Sequence, residues 1–126
     1  MRYLVDSTLL IDHANRDLAA LTLLRRLVAE GHDLYTCDVV TCEALSGGHP
    51  EDLRHLTTLL DALEYVSTTP AAARRAATAR RTRNEAGGKR GLGDALIGGI
   101  AHELDAIVVS RNGKDFARQG VRTLDY

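Results

Sequence analysis

Four carboxylates fall at positions where α/β proteins do chemistry. Asp6 follows the apolar run Tyr3-Leu4-Val5. Glu43 lies one turn beyond Leu34-Tyr35-Thr36-Cys37. Asp94 follows a glycine-rich stretch, and Asp115 sits in a polar loop after Ile107-Val108-Val109. An acid just past a buried strand, or at the head of the next helix, lies where open α/β sheets bind ligands. Four carboxylates gathered in an apolar core repel one another, and a divalent cation is the usual compensation. An all-oxygen ligand set favours Mg²⁺ or Mn²⁺ over zinc. Such ions stay partly hydrated and bridge to substrate phosphates. A pair of them ~3.5–4 Å apart activates water and stabilises the leaving oxygen in phosphodiester cleavage. That chemistry needs no histidine base, and His13, His32, His49, His55 and His102 form no HxH or HxxxH pair.

Each acid also has a plainer reading. Asp6 can cap a helix starting at Ser7 or Thr8, and Asp94 can cap the helix after it. Glu43 can be a helix-surface residue, although its apolar surroundings weigh against that. Asp115 can be an ordinary turn residue. The joint placement of all four at one sheet edge favours the functional reading.

The elements that must position these acids alternate along the chain. Consecutive apolar residues at Tyr3-Leu4-Val5 predict a strand buried on both faces. Leu18, Leu21, Leu24, Leu27 and Val28 recur at helical spacing and predict a helix over 18–30, ended by Gly31. A second strand follows at 34–37. Asp38 opens a short helix over 39–45, stopped by Gly47-Gly48. Further helices are predicted at 51–63, led by Pro50, and at 70–85, an Ala/Arg-rich composition that forms helix readily. A weak strand at 64–67 separates them. After the glycine-rich loop 87–93 comes the apolar helix 95–104, whose Gly98-Gly99 pair predicts close approach of a neighbour. A strand at 106–109, a loop and helical turn at 110–116, and a short strand at 121–124 complete the order. Strands alternating with helices predict an α/β fold, a three-layer α/β/α arrangement around a mostly parallel sheet of four to five strands.

Bulk properties narrow the class. With 126 residues, 44% hydrophobic and 26% charged, the chain reads as one soluble domain spanning 1–126. No run approaches the ~20 apolar residues of a membrane span. Asp6 and Asp12 break the first apolar stretch, so no signal peptide is expected and a cytoplasmic location is. Cys37 and Cys42 make neither a disulfide framework nor a zinc motif, and both read as small buried apolar residues. Net charge is −1, yet Arg74, Arg75, Arg80, Arg81, Arg83, Lys89 and Arg90 crowd into one region. With no Trp and one Phe, recognition by stacked aromatics is disfavoured, whereas phosphate contacts are not.

Three blocks resemble the PIN-domain family, in particular the VapC-type toxin ribonucleases of VapBC toxin–antitoxin pairs. They are Leu4-Val5-Asp6-Ser7-Thr8-Leu9-Leu10-Ile11-Asp12, Thr41-Cys42-Glu43-Ala44-Leu45, and Gly93-Asp94-Ala95-Leu96-Ile97 followed by 107–116. The resemblance runs from Arg2 to Leu124. It implies a Mg²⁺- or Mn²⁺-dependent endoribonuclease in which Asp6, Glu43 and Asp94 are metal ligands and Thr8 supports Asp6 through its hydroxyl. Many relatives carry Asp where this chain has Asn112. Either Asp115 takes over as the fourth acid, or a second metal is held weakly. The resemblance also implies a homodimer and a cognate antitoxin that occupies the active-site groove. Of the basic segment, Lys89 and Arg90, close to Asp94, are the best candidates for RNA contact. Two other classes compete. One is a non-catalytic PIN-like binding module with a decayed metal site, supported by Asn112. The other is a Mg²⁺-dependent phosphatase, which would want a second acid where Thr8 stands, or a phospho-receiver, which would want a neighbouring acid pair and an acceptor Asp after the third strand, where Ser67-Thr68-Thr69 has none.

Overall fold

Leu4 and Val5 are neighbours on a strand, so their side chains point to opposite faces of the sheet, yet neither is exposed at all. Val108 and Val109 repeat the pattern. Both faces of these strands are therefore covered, as parallel sheets require. The computed structural model describes residues 1–82, 88 and 91–126. In it β1 (Arg2–Val5), β2 (Asp33–Cys37), β3 (Glu64–Val66), β4 (Ile107–Val109) and β5 (Thr123–Leu124) form one five-stranded sheet. The order is β3-β2-β1-β4-β5 and every pair is parallel. Helices flank it: α1 (Ser7–Ala14), α2 (Leu18–Ala29), α3 (Asp38–Gly47), α4 (Leu53–Asp61), α5 (Pro70–Arg81), α6 (Leu92–Leu104) and α7 (Gly113–Ala117).

Strand order decides where a site can form. From β1 the chain adds β2 and then β3 on one side, and later adds β4 and β5 on the other. The direction reverses between β1 and β4, and the crevice outside the carboxyl ends of two such strands is where ligands bind. Val5 pairs with Val109, so Asp6 and Ser110 leave the sheet level with each other. The Asp6 amide donates to the Val109 carbonyl at 3.0 Å, which extends the pairing into the crevice.

Local chemistry explains most boundaries. Asp17 caps α2 by accepting from the Ala20 amide at 3.0 Å, and Gly31, at φ +76°, takes the chain out of it. Thr69 caps α5 with Pro70 at its first position. Gly99 allows α6 to sit against α5, since a Cβ there would run into the Ala72 carbonyl. Leu9, Leu10, Val40, Leu56, Ile97 and Phe116 join the strand residues in the core.

Four expectations need adjusting. The helix expected over 51–63 divides into a 3-10 turn, Pro50–Asp52, and α4, because no side chain caps the start and 3-10 turns are common at helix ends. The helix expected over 70–85 is described to Arg81, and positions 83–85 lie outside the described residues. Helix α6 begins at Leu92, with Gly91 at its cap, so Asp94 lies inside the first turn and is not the cap residue. Cys37 is buried as expected, its thiol held by burial up to about 11, but Cys42 is exposed on the outer face of α3.

Candidate active site

Asp6 is the most buried acid of the crevice, at 3% exposure. It ends β1 and caps α1, its Oδ1 accepting from the Ser7 amide at 2.8 Å. Its Oδ2 accepts from the Ser110 hydroxyl at 2.7 Å and the Thr8 hydroxyl at 3.2 Å. Those hydroxyls are themselves fixed. The Asn112 amide donates to Ser110 Oγ at 3.0 Å and the Arg111 amide donates to Thr8 Oγ1 at 3.3 Å. The loop after β4 is thus bonded through two hydroxyls onto one carboxylate oxygen, and each bond polarises the next. A carboxylate has about four lone-pair positions. Three are taken here, which leaves room for one further ligand. Burial raises the Asp6 pKa, and the Ser110, Ser7 and Thr8 bonds oppose that rise without cancelling it.

Glu43 projects from α3, which packs against both α1 and α6. Its Oε1 accepts from the Ser7 hydroxyl at 3.2 Å. Burial raises its pKa first, and the charges of Asp6 and Asp94 raise it further. Its Oε2 lies over the first turn of α6, where a Cβ on Gly93 would stand only 2.5 Å away. Asp94, the next residue, is half-buried. Its pKa is raised by burial, then by Asp6 and then by Asp115. Asp115 is exposed on α7, 3.4 Å from Arg118. The Asn112 side chain does not cap α7.

Asp6, Glu43 and Asp94, from three separate elements, therefore meet within reach of one another's charge, with Asp115 at the rim beside Asp94. Among the described residues, no three His, Cys, Asp or Glu side chains are gathered tightly enough to chelate an ion unaided. The open arrangement matches an ion that keeps several waters and takes only some of its ligands from protein. The donors are all oxygen, and the gap beside Gly93 keeps Glu43 free of a neighbouring side chain, so these residues fit a hard divalent cation.

Ser7, Ser110 and Gly93 were not singled out by the sequence. For Ser110 a signal existed: it follows the all-apolar β4 in the same way that Asp6 follows β1. Lys89 and Arg90 lie outside the described residues.

Gly93 offers a direct check on this geometry. Gly93→Ala is expected to leave stability unchanged or raise it by up to about 1 kcal/mol, since Ala suits a helix better than Gly. Its Cβ must displace the Glu43 carboxylate, so any metal-dependent activity is expected to fall. A variant with both parental melting and parental activity would show that the position of Glu43 does not matter.

The pattern of the PIN domain matches residues 3–121. The chain belongs to the PIN-domain family. Among curated proteins it is similar to ribonuclease VapC19 of Mycobacterium tuberculosis, at 30% identity over 116 residues, covering 90% of each chain. Among solved structures it resembles VapBC2 of Rickettsia felis bound to a DNA fragment from its promoter, with a TM-score of 0.82, 20% identity and 100% and 99% of the two chains covered. It also resembles DNA-bound VapBC of Salmonella typhimurium, with a TM-score of 0.79, 18% identity and 99% and 98% covered. At such identities the structural likenesses speak for the PIN fold. That fold matches the α/β architecture and parallel sheet expected from the sequence.

Proposed function

We propose that this PIN domain is the toxin of a type II toxin–antitoxin pair, an endoribonuclease that hydrolyses RNA phosphodiester bonds with Mg²⁺ or Mn²⁺. The observation that carries the reading is the meeting of Asp6, Glu43 and Asp94 at the crevice where the sheet reverses direction. Family membership and the ribonuclease relative at 30% identity support it. Asp6, Glu43 and Asp94 are the residues that would hold the ion. When bound, a divalent cation supplies charge stabilisation at the phosphodiester and activation of water. The chain itself supplies orientation: Ser110 and Thr8 fix Asp6, Ser7 fixes Glu43, and the first turn of α6 fixes Asp94. A cognate antitoxin as partner, a homodimer and a cytoplasmic location belong to the same proposal. Among the described residues no helix is long and apolar enough to cross a membrane.

A binding module with a decayed site fits less well. Three carboxyls kept in a setting that raises their pKa values work against folding at neutral pH, and a purely structural crevice has no use for them. The test is incubation of the purified protein with single-stranded RNA in Mg²⁺, in Mn²⁺ and in chelator. Internal cuts that need the metal are expected. Intact RNA under all three conditions, or cutting that persists in chelator, would overturn the reading.

The place of Asp115 is a separate question. If it completes the acid set, Asp115→Asn weakens Mn²⁺ binding, whereas Asn112→Asp preserves or tightens it. Calorimetric titration reads both. Parental Mn²⁺ affinity in Asp115→Asn would leave Asp115 as a rim residue paired with Arg118.

A further inference from the structure

Beside the acids lies a second network that metal chemistry does not require. Asp12, on α1, is 7% exposed. Its Oδ2 accepts from the Tyr126 hydroxyl at 2.7 Å and pairs with Arg111 Nη1 at 3.1 Å. Burial and the Asp12 carboxylate both push the Tyr126 phenol well above its ordinary pKa, so it remains the donor. Arg111 is therefore tied to α1 at both ends. Its amide is bonded to Thr8 and its guanidinium to Asp12, one helical turn further on. It also directly follows Ser110, whose hydroxyl is bonded to Asp6.

This double anchoring leaves the Arg111 side chain 59% exposed. A guanidinium carries five N–H donors, so its contact with Asp12 leaves others for a ligand. Arg111 lines an open groove of about 410 Å³ over α7, together with Lys114 and Arg118. Asp115 and Asp125 line it too, so three cations face two carboxylates there, with Asp12 outside the lining as the partner of Arg111. Arg118 pairs with Asp115 within it.

We propose that Arg111, held in place by Asp12 and Tyr126, binds an RNA phosphate next to the one that is cut, and that the strand leaves the acids along the groove over α7. The inference rests on the nuclease reading above. Arg111 is the binding residue, and Asp12 and Tyr126 position it. A guanidinium fixed before the ligand arrives loses less freedom on binding. Each phosphate contact to a single strand also contributes about 0.7 to the slope of log affinity against log salt.

The test uses the full chain with a labelled single-stranded RNA. Anisotropy in chelator, across a salt series, gives affinity without turnover. Cleavage in Mg²⁺ gives kcat and KM. Arg111→Ala is expected to raise Kd and KM about tenfold. It should lower the salt slope by about 0.7 with kcat near parental. Arg111→Lys is expected to restore the slope but only part of the affinity, because a point charge lacks the fixed fork. Tyr126→Phe keeps the charge, so it is expected to weaken binding while leaving the slope unchanged. Arg26→Ala, an exposed cation on α2, is the control and should behave as the parent.

Parental Kd and slope in Arg111→Ala would overturn the proposal, as would a loss confined to kcat. If Arg111→Ala does not fold, parental Kd in both Arg111→Lys and Tyr126→Phe overturns it equally. A parent that cuts RNA while Arg111→Ala binds normally removes only this inference. A parent that binds RNA through Arg111 without cutting removes the nuclease reading and, with it, the placement of that phosphate beside a cut one; only the Arg111–phosphate contact stands. A parent that does not bind RNA removes this inference.

Discussion

Asp6→Asn is expected to abolish metal-dependent RNA cleavage while leaving the protein folded. Asn caps a helix about as well as Asp, so the bond from the Ser7 amide that starts α1 survives. The amide keeps one acceptor oxygen but loses the charge, and with that oxygen on the Ser7 amide its NH2 faces Ser110 and Thr8, whose hydroxyls must turn to accept from it. Losing a partner that merely orients a ligand costs about 10–100-fold in metal affinity or activity, so loss of the ligand's own charge should cost at least the upper end of that range. Asp6→Ala should lose activity equally but for mixed reasons. It removes a cap worth ~1 kcal/mol and leaves the hydroxyls of Ser110 and Thr8 without their acceptor, at about 1–3 kcal/mol for a buried polar group. RNA cleavage paired with thermal melts separates the two. Asp6→Asn with parental cleavage would remove Asp6 from the chemistry and leave it a cap.

Asp94→Asn is the second substitution with a large expected effect. Gly91, not Asp94, is the cap of α6, so no cap is at stake. Burial, Asp6 and Asp115 all raise the Asp94 pKa, which means that its charge is unwelcome in the metal-free fold. Removing that charge is expected to hold or raise metal-free stability. The added stability in Mn²⁺ is expected to shrink, because an ion that binds only the folded state stabilises it by mass action. Cleavage should fall sharply at the same time. Melts with and without Mn²⁺, read beside an RNA assay, check all three. Parental metal-induced shift and parental cleavage together would make Asp94 an ordinary residue of the first helical turn.

What the sequence made legible follows from what leaves a pattern in it. Runs such as Leu4-Val5 and Val108-Val109 mark buried parallel strands, and an acid immediately after such a run is conspicuous. Asp6 could be placed on that ground, Glu43 by its apolar surroundings in the short helix after β2, and the alternation of strands and helices announced the sheet. The start of α6 was harder to see. Gly91-Leu92-Gly93 reads as loop because glycine weakens helices, yet the backbone is already helical at Leu92. That shift changed Asp94 from a cap into a first-turn residue. Ser7 and Ser110 are small, common residues whose importance depends on the register of β1 against β4. Gly93 matters because of where the Glu43 carboxylate lies. Asp12 and Tyr126 are 114 residues apart, and no local pattern links them. Pairing that depends on tertiary approach carries no periodic signature.

The central claim is that Asp6, Glu43 and Asp94 jointly hold a divalent cation. The most direct measurement is electron paramagnetic resonance of free Mn²⁺ during titration of the parent, Asp6→Asn, Glu43→Gln and Asp94→Asn, each confirmed folded by its melt. The account predicts saturable uptake by the parent and strongly weakened uptake by all three variants. Parental Mn²⁺ uptake by all three folded variants would contradict it.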